Sequence, residues 1–500
     1  MRRDQSGAST GGQSDPSGLT RDQPASSYAV GAVWAGVNAA ANVLLPFAVF
    51  VFFAREISPP LLGLIALAAA CTEILKALGL PGLYEALLQQ KSDLQRCNET
   101  ALALLLIAGA VMVPTGVALL YGIGFAVAGV HQHFLILALL TLRIPLDLAS
   151  VQPQTVLVKR LDYRRLSLRS VVANVLAGAA GIAAAGLVTP VCGLVTYQLG
   201  QSLLSFIGTS VGRGLMARPR LHDDCLRQLR RETIFATGNR SLAAIINYLD
   251  QTVMAPLAGD TALAFYNLGK RLETTFVTVA NSFSSILFQP LFAADGALSR
   301  QKATTRALLV LTLVCGAPAA VVFCNDRLVV SLIFGRNWLA AAPIVGWLCL
   351  NGLIRAVGMV PGSFLSVSGR NQDLLVTSIV SAVLGLALVV AIAPTSITLC
   401  AAAMAGKNAA IVVWMAWLTR REVEHPLSTY AMGVVIPASL MLAAAFAVSI
   451  ALQTPVNLFA VLFKLALSGL VVVACCVAWV ALTGAPSLRI LSRAPSGRTA

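Results

Sequence analysis

Of the chain's 500 residues, 57% are hydrophobic and only 11% charged, with a mean hydropathy of +0.80. A soluble domain carries about 25% charged residues, so the composition excludes a soluble protein and leaves a polytopic helical membrane protein. The net charge of +15 is spread over many short segments between apolar runs, a distribution that suits anionic lipid and not nucleic acid.

Residues 1–27 are rich in Ser, Gly, Asp, Gln and Pro and hold no apolar core. They read as a disordered cytoplasmic tail and not as a signal peptide. Apolar runs of about 20 residues or more, the length that crosses a bilayer core, then follow at 28–54, 59–80, 98–121, 133–153, 166–189 and 191–212. A polar connection, 213–232, separates these from runs at 233–258, 262–293, 304–323, 338–361, 372–393 and 396–418. A further pair, 427–452 and 456–483, precedes a tail at 484–500. The expectation is an all-α polytopic membrane protein of about 14 spans. It comprises a first six-helix lobe over 28–212, a second over 233–420 and an appended C-terminal helix pair over 427–483.

Alternating these spans from a cytoplasmic N-terminus puts 25 of the 36 Lys and Arg on the cytoplasmic side, among them Lys159, Arg160, Arg164, Arg165, Arg218 and Arg220. The opposite face holds only Arg55, Arg327 and Arg336. Basic residues in short loops are retained inside, so both termini and the 213–232 connection are expected in the cytoplasm. An internal repeat agrees with the partition. Ser170 to Leu176 opens the fifth span and Ser378 to Leu384 the eleventh, at an offset of 208 residues, and Leu62-Gly63-Leu64 aligns loosely with Leu263-Ala264-Phe265. Parallel repeats of six spans are related by an axis along the membrane normal, the geometry of alternating-access transporters.

Eight cations lie inside apolar runs: Lys76, Arg143, Arg240, Lys270, Arg271, Arg355, Lys407 and Lys464. The acids there are Glu73, Asp147, Asp250 and Glu273. A charge at the bilayer centre costs about 2.5–3.5 kcal/mol on insertion scales, so each faces a partner or a cavity. Glu73/Lys76 and Arg143/Asp147 have the spacing of pairs within one helix, and Lys76 and Lys464 are placed to snorkel. Arg240, Asn247 and Asp250 share a helix face; Asn267, Lys270/Arg271, Thr274, Asn281 and Ser285 form a polar stripe; Asn351 and Arg355 are one turn apart. Trp34, Asn38 and Asn42 recur every four residues on the first span. Convergence of these stripes would make a cationic cleft. The candidate substrate-binding residues are Arg240, Asp250, Asn267, Lys270, Arg271, Arg355, Lys407, Asn38 and Asn42. Guanidinium binds phosphate as a two-pronged fork and lysine binds it as a point charge. Such a cleft therefore suits an anionic amphiphile, such as a lipid phosphate or pyrophosphate bearing a sugar, and not a cationic drug.

No chemistry of bond-making is in view. The ten cysteines are scattered and read as small apolar residues. His131 and His133 lack a third metal ligand, and no nucleotide-binding Gly-Lys-Ser/Thr loop occurs. No metal, no cofactor and no catalytic group is expected, and the chain is not expected to be an enzyme. A membrane enzyme of polysaccharide assembly, such as a polymerase or ligase, would carry a long extracytoplasmic loop. A scaffold would carry extended cytoplasmic tails.

Asn247-Tyr248-Leu249-Asp250, then Gly259, then Phe265-Tyr266-Asn267-Leu268 with Arg271, then Leu287-Phe288-Gln289-Pro290, resembles the second-lobe signature of a known family. This is the Wzx-type oligosaccharide flippases and polysaccharide exporters, of the MATE-like superfamily. Arg160-Leu161-Asp162-Tyr163-Arg164, followed by the small-residue helix from Ala177-Gly178 to Gly186, resembles its first-lobe connection between spans four and five. The resemblance covers about residues 28–420. It implies two six-helix bundles in a V in a bacterial inner membrane. It also implies movement of an undecaprenyl-pyrophosphate-linked oligosaccharide to the periplasmic face for exopolysaccharide, O-antigen or capsule. Asp250, Asn267 and Arg271 carry over as cleft residues. The implied partners are that lipid-linked oligosaccharide, membrane lipids, and a polysaccharide polymerase and glycosyltransferases, with no nucleic acid. Gln289 departs from the family's uninterrupted Phe-Pro, and span one lacks the acid that many drug/cation antiporters carry. The alternatives within transport are a multidrug/cation antiporter and a peptidoglycan-precursor flippase.

Overall fold

The computed structural model describes residues 42–80, 82–89, 94–160, 162–211, 216–283, 297–421, 426–452 and 458–482. The described residues are helical almost throughout. The long helices of the first half are α1 (42–56), α2 (Pro59–Leu78), α3 (Leu94–Gly124), α4 (Arg143–Lys159), α5 (Tyr163–Leu187) and α6 (Pro190–Ser210). Those of the second are α7 (Asp223–Ala258), α8 (Asp260–Phe283), α9 (Ala297–Cys324), α10 (Ala342–Val367), α11 (Asn371–Ile392) and α12 (Ile397–Leu418). α13 (Ile436–Ala451) and α14 (Leu458–Leu482) pack on each other and both pack on α9.

Local sequence sets the ends of these helices. Asp162, Thr189 and Ser396 each accept a hydrogen bond from a backbone N–H of the first turn that follows, of Arg165, Cys192 and Leu399 respectively. Pro59 and Pro190 stand at first-turn positions that need no amide donor. Gly259, at φ +87°, ends α7 and lets the chain reverse directly into α8.

Ten helices among the described residues are long and apolar enough to cross a membrane. The polytopic all-α architecture stands, and the count of 14 does not follow from it. The four expected spans outside that set have physical reasons. The run 28–54 begins outside the described residues, 233–258 belongs to the polar 36-residue α7, α8 carries a charged stripe, and in α14 only Ala460–Cys475 qualifies, as a shorter apolar helix. The outer surface is apolar, with Val383, Phe446 and Leu470 among many large side chains turned outward, the inverse of a soluble fold.

The two halves meet along α2, which packs on both α7 and α8. Gly63 permits that approach, because a Cβ there would lie 1.9 Å from the Asp260 carbonyl oxygen. At the end of α1 the Arg55 guanidinium donates to the Ile333 carbonyl at 2.8 Å and to that of Leu332, capping the short helix Asp326–Ile333. Trp338 Nε1 donates to the Ala54 carbonyl at 2.6 Å beside it. At the opposite ends of the helices, His222 meets Glu99 at 2.9 Å, the Cys97 and Cys225 sulfurs are 3.0 Å apart, and Ser241 donates to the Ala77 carbonyl.

Candidate functional site

All four acids of the spans, with Lys76, Arg143, Lys270 and Arg355, gather into two balanced networks, one in each half. In the first, Lys76 donates to Glu73 at 2.6 Å and to Asp147 at 2.9 Å, so the link runs between α2 and α4 and not only along α2. Arg143 lies 3.8 Å from Glu73 and 3.9 Å from Asp147, and donates to Gln198 of α6 at 2.7 Å. In the second, Lys270 of α8 donates to Asp250 of α7 at 2.7 Å and lies 3.8 Å from Glu273. Arg355 of α10 pairs with Glu273 and donates to Asn247 at 3.0 Å. Tyr266 donates its hydroxyl to Asp250 at 2.9 Å. Each network joins two cations to two carboxylates. Glu273 is fully buried, so its charge is tolerable only because cations face it.

A cavity of about 90 Å³ sits on the second network, between α7, α8, α10, α11 and α12. Lys407 reaches it from α12 and donates to the Ser381 carbonyl and hydroxyl, each at 3.1 Å. Gly385 leaves room for it, since a Cβ there would come within 3.3 Å of Lys407 Nζ. Asn408 donates to Asn351 at 2.7 Å across α12 and α10. The cavity adjoins a groove of about 500 Å³ that shares Asn247, Arg355, Ser381 and Asn408 and runs to Asn371 and Met415.

Arg271 is next to Lys270 in sequence but faces the other half. Its guanidinium lies over the Phe50 ring of α1, 4.0 Å from the centroid. Arg143, Tyr197 and Tyr248 are its electrostatic neighbours. Tyr197 in turn donates to Asn174 at 3.1 Å, which also accepts from Gln201 at 2.8 Å. Among the described residues no carboxylate lies within 4.0 Å of Arg271 or of Lys407.

The expected cleft residues thus fall into different surroundings. Asp250, Lys270 and Arg355 form one ion-paired group. Asn267 donates to Gln251 at 3.0 Å. Arg271 stands at the junction of the halves, and Lys407 at the second-half cavity. Asn42 is the first described residue of α1 and is exposed. Trp34, Asn38, Ser285 and Leu287-Phe288-Gln289-Pro290 lie outside the described residues, as does the side chain of Arg240. Lys464 is buried and donates to the Ser449 and Leu452 carbonyls, capping α13. Tyr197, Gln198 and Asn408 are not singled out by the sequence, and Tyr266 and Asn351 appear there only within the motif and the stripe with Arg355. Buried polar side chains in an apolar span were the available signal for each.

The profile of the family described as "polysaccharide biosynthesis protein" matches residues 52–343, more than half of the chain. The teichuronic acid biosynthesis protein TuaB of Bacillus subtilis (strain 168) is 28% identical over 311 residues, 58% of this chain and 60% of that one. The chain thus matches less than two-thirds of that relative's length. Among solved structures, a lipid II flippase MurJ in an inward closed conformation superposes with a TM-score of 0.68 at 10% identity, over 91% of this chain and 99% of that one. An inward-facing multidrug resistance MATE family transporter of the MOP superfamily gives 0.59 at 14% identity, over 78% and 96%. At these identities the superpositions establish the fold.

Proposed function

We propose that this chain, which belongs to the polysaccharide biosynthesis protein family, moves a lipid-linked oligosaccharide across a bacterial inner membrane by alternating access. The resemblance read from the motifs agrees with the family and with the MATE-like fold. The observation that carries the substrate class is Arg271: a guanidinium without a carboxylate among the described residues, stacked on Phe50 and turned toward the junction of the halves. A phosphate or pyrophosphate would complete it, and the neighbouring Tyr197 and Tyr248 could receive sugar or pyrophosphate oxygens. In this reading the two six-helix lobes, 28–212 and 233–420, rock about the α2 contact, and both termini stay in the cytoplasm. Glycosyltransferases would supply the undecaprenyl-pyrophosphate-linked cargo and a polymerase would consume it.

Deletion of the gene tests this. The expected outcome is loss of surface polysaccharide, with lipid-linked repeat units collecting on the inner leaflet. Normal polysaccharide with raised drug sensitivity would refute it in favour of an antiporter. The likeness to the lipid II flippase keeps a second reading, transport of a peptidoglycan precursor, in the same experiment. Collected cell-wall precursor in place of polysaccharide repeat units would be its sign.

A further inference from the structure

At the start of α5, away from the junction of the halves, a surface recess of about 430 Å³ is floored by Arg164, Arg165 and Arg169. The unusual member is Arg169. Its Nε and Nη1 are buried and have no hydrogen-bond partner among the described residues. Its Nη2 makes one long contact, 3.4 Å, with the Ser170 hydroxyl. A guanidinium taken from water and left unpaired is costly, and among the described residues nothing completes it.

The recess defines that group. Asp162 is its one acid, and its carboxylate already accepts from the Arg165 backbone N–H at 3.1 Å as the helix cap. The three arginines therefore keep an excess of positive charge, which selects an anion. Arg165, Arg169, Val172 and Leu176 follow at spacings of 3–4 residues, with Leu168 beside Arg169, and share one face of α5. Leu168, Val172 and Leu176 are 45%, 50% and 52% exposed, so the cationic floor continues into an uncovered apolar wall. Arg169 lies six residues into α5, about 9 Å along its axis, on the turn that passes from the arginines to the apolar wall. Gly208 of α6 lets the side chain lie down there, because a Cβ would meet Arg169 Cγ at 2.7 Å.

We infer that this recess binds an anionic glycerophospholipid, its phosphodiester held by Arg169 with Arg165 and an acyl chain lying along Leu168, Val172 and Leu176. A soluble anion would use the arginines and leave the apolar wall bare. A zwitterionic lipid would bring a second positive charge to a cationic floor. The site is separate from Arg271, so the inference stands whether or not the chain moves an oligosaccharide.

Native mass spectrometry of the full chain in detergent, titrated with phosphatidylglycerol or phosphatidylcholine, tests it. The wild type should hold phosphatidylglycerol about tenfold more tightly than phosphatidylcholine, the loss expected for one charge-assisted pair. Arg169→Gln should abolish that preference and Arg169→Lys should keep part of it. Arg165→Gln should weaken it by itself, a check that survives if Arg169→Gln fails to fold. Arg218→Gln, on the exposed connection, should bind as the wild type does. Equal affinity for the two lipids, or an unchanged preference in Arg165→Gln and Arg169→Gln, would overturn the assignment. Displacement of phosphatidylglycerol by inorganic phosphate at comparable concentration would overturn it too, by showing that the apolar wall contributes nothing.

Discussion

Lys270 and Arg271 are neighbours in the chain and about 100° apart around α8. That rotation sends the ammonium inward to Asp250 and the guanidinium outward over Phe50. The two cations consequently have different expected phenotypes. Removing one partner of a buried ion pair costs about 3–5 kcal/mol, because the other charge is left alone. Arg355→Ala would leave Glu273, which has no exposure, with only Lys270 at 3.8 Å, a cation it shares with Asp250, and should lower the amount of protein in the membrane. Arg271→Ala removes a ring contact of about 2 kcal/mol, less than a buried ion pair, and should leave abundance near normal while polysaccharide export falls. Arg271→Lys should retain part of the export, since charge survives and the fork does not. Membrane immunoblots beside polysaccharide assays check this. Normal export by Arg271→Ala at normal abundance would remove Arg271 from the site. The existence of the intramembrane charges was legible in the sequence, and so was the pairing of Glu73 with Lys76 at one-turn spacing. The partner of Glu273 was not: Arg355 is 82 residues away, and only the packing of α10 on α8 brings them together.

Helices with strong boundary signals were readable as elements. Thr189-Pro190 opens α6, Ser396 opens α12 and Gly259 separates α7 from α8. α7 was less readable. Its apolar run begins at residue 233, yet the helix starts at Asp223, so the polar half of the expected connection is helical. Contacts with α3 account for that: Leu229 and Cys225 pack into a cluster with Cys97 and Ala101, and the His222 amide donates to Thr100 at 3.2 Å. The exposed part of the connection, around Arg218 and Arg220, carries the orientation argument. In a cysteine-free background, Arg218→Cys should react with a membrane-impermeant maleimide only after the cytoplasmic face is opened. Labelling of intact spheroplasts from the periplasmic side would invert the topology. Position 225 would be a poor probe, because its side chain is buried against Cys97.

In the whole molecule, two charge-balanced networks lie on either side of a junction that holds an arginine without a carboxylate among the described residues. The halves touch at both ends of the helices, at Arg55 and Trp338 on one side and at Glu99 and Ser241 on the other. A carrier that alternates access must break one set while keeping the other. In the proposed function this junction passes an anionic lipid-linked oligosaccharide. Purified protein in proteoliposomes, with an undecaprenyl-pyrophosphate-linked oligosaccharide labelled on one leaflet, measures it directly. The wild type should carry the label to the opposite leaflet, and Arg271→Ala should slow transfer by about 10- to 100-fold, the range for losing a charge-assisted contact to phosphate. Wild-type transfer no faster than in protein-free liposomes would show that the protein does not move this lipid.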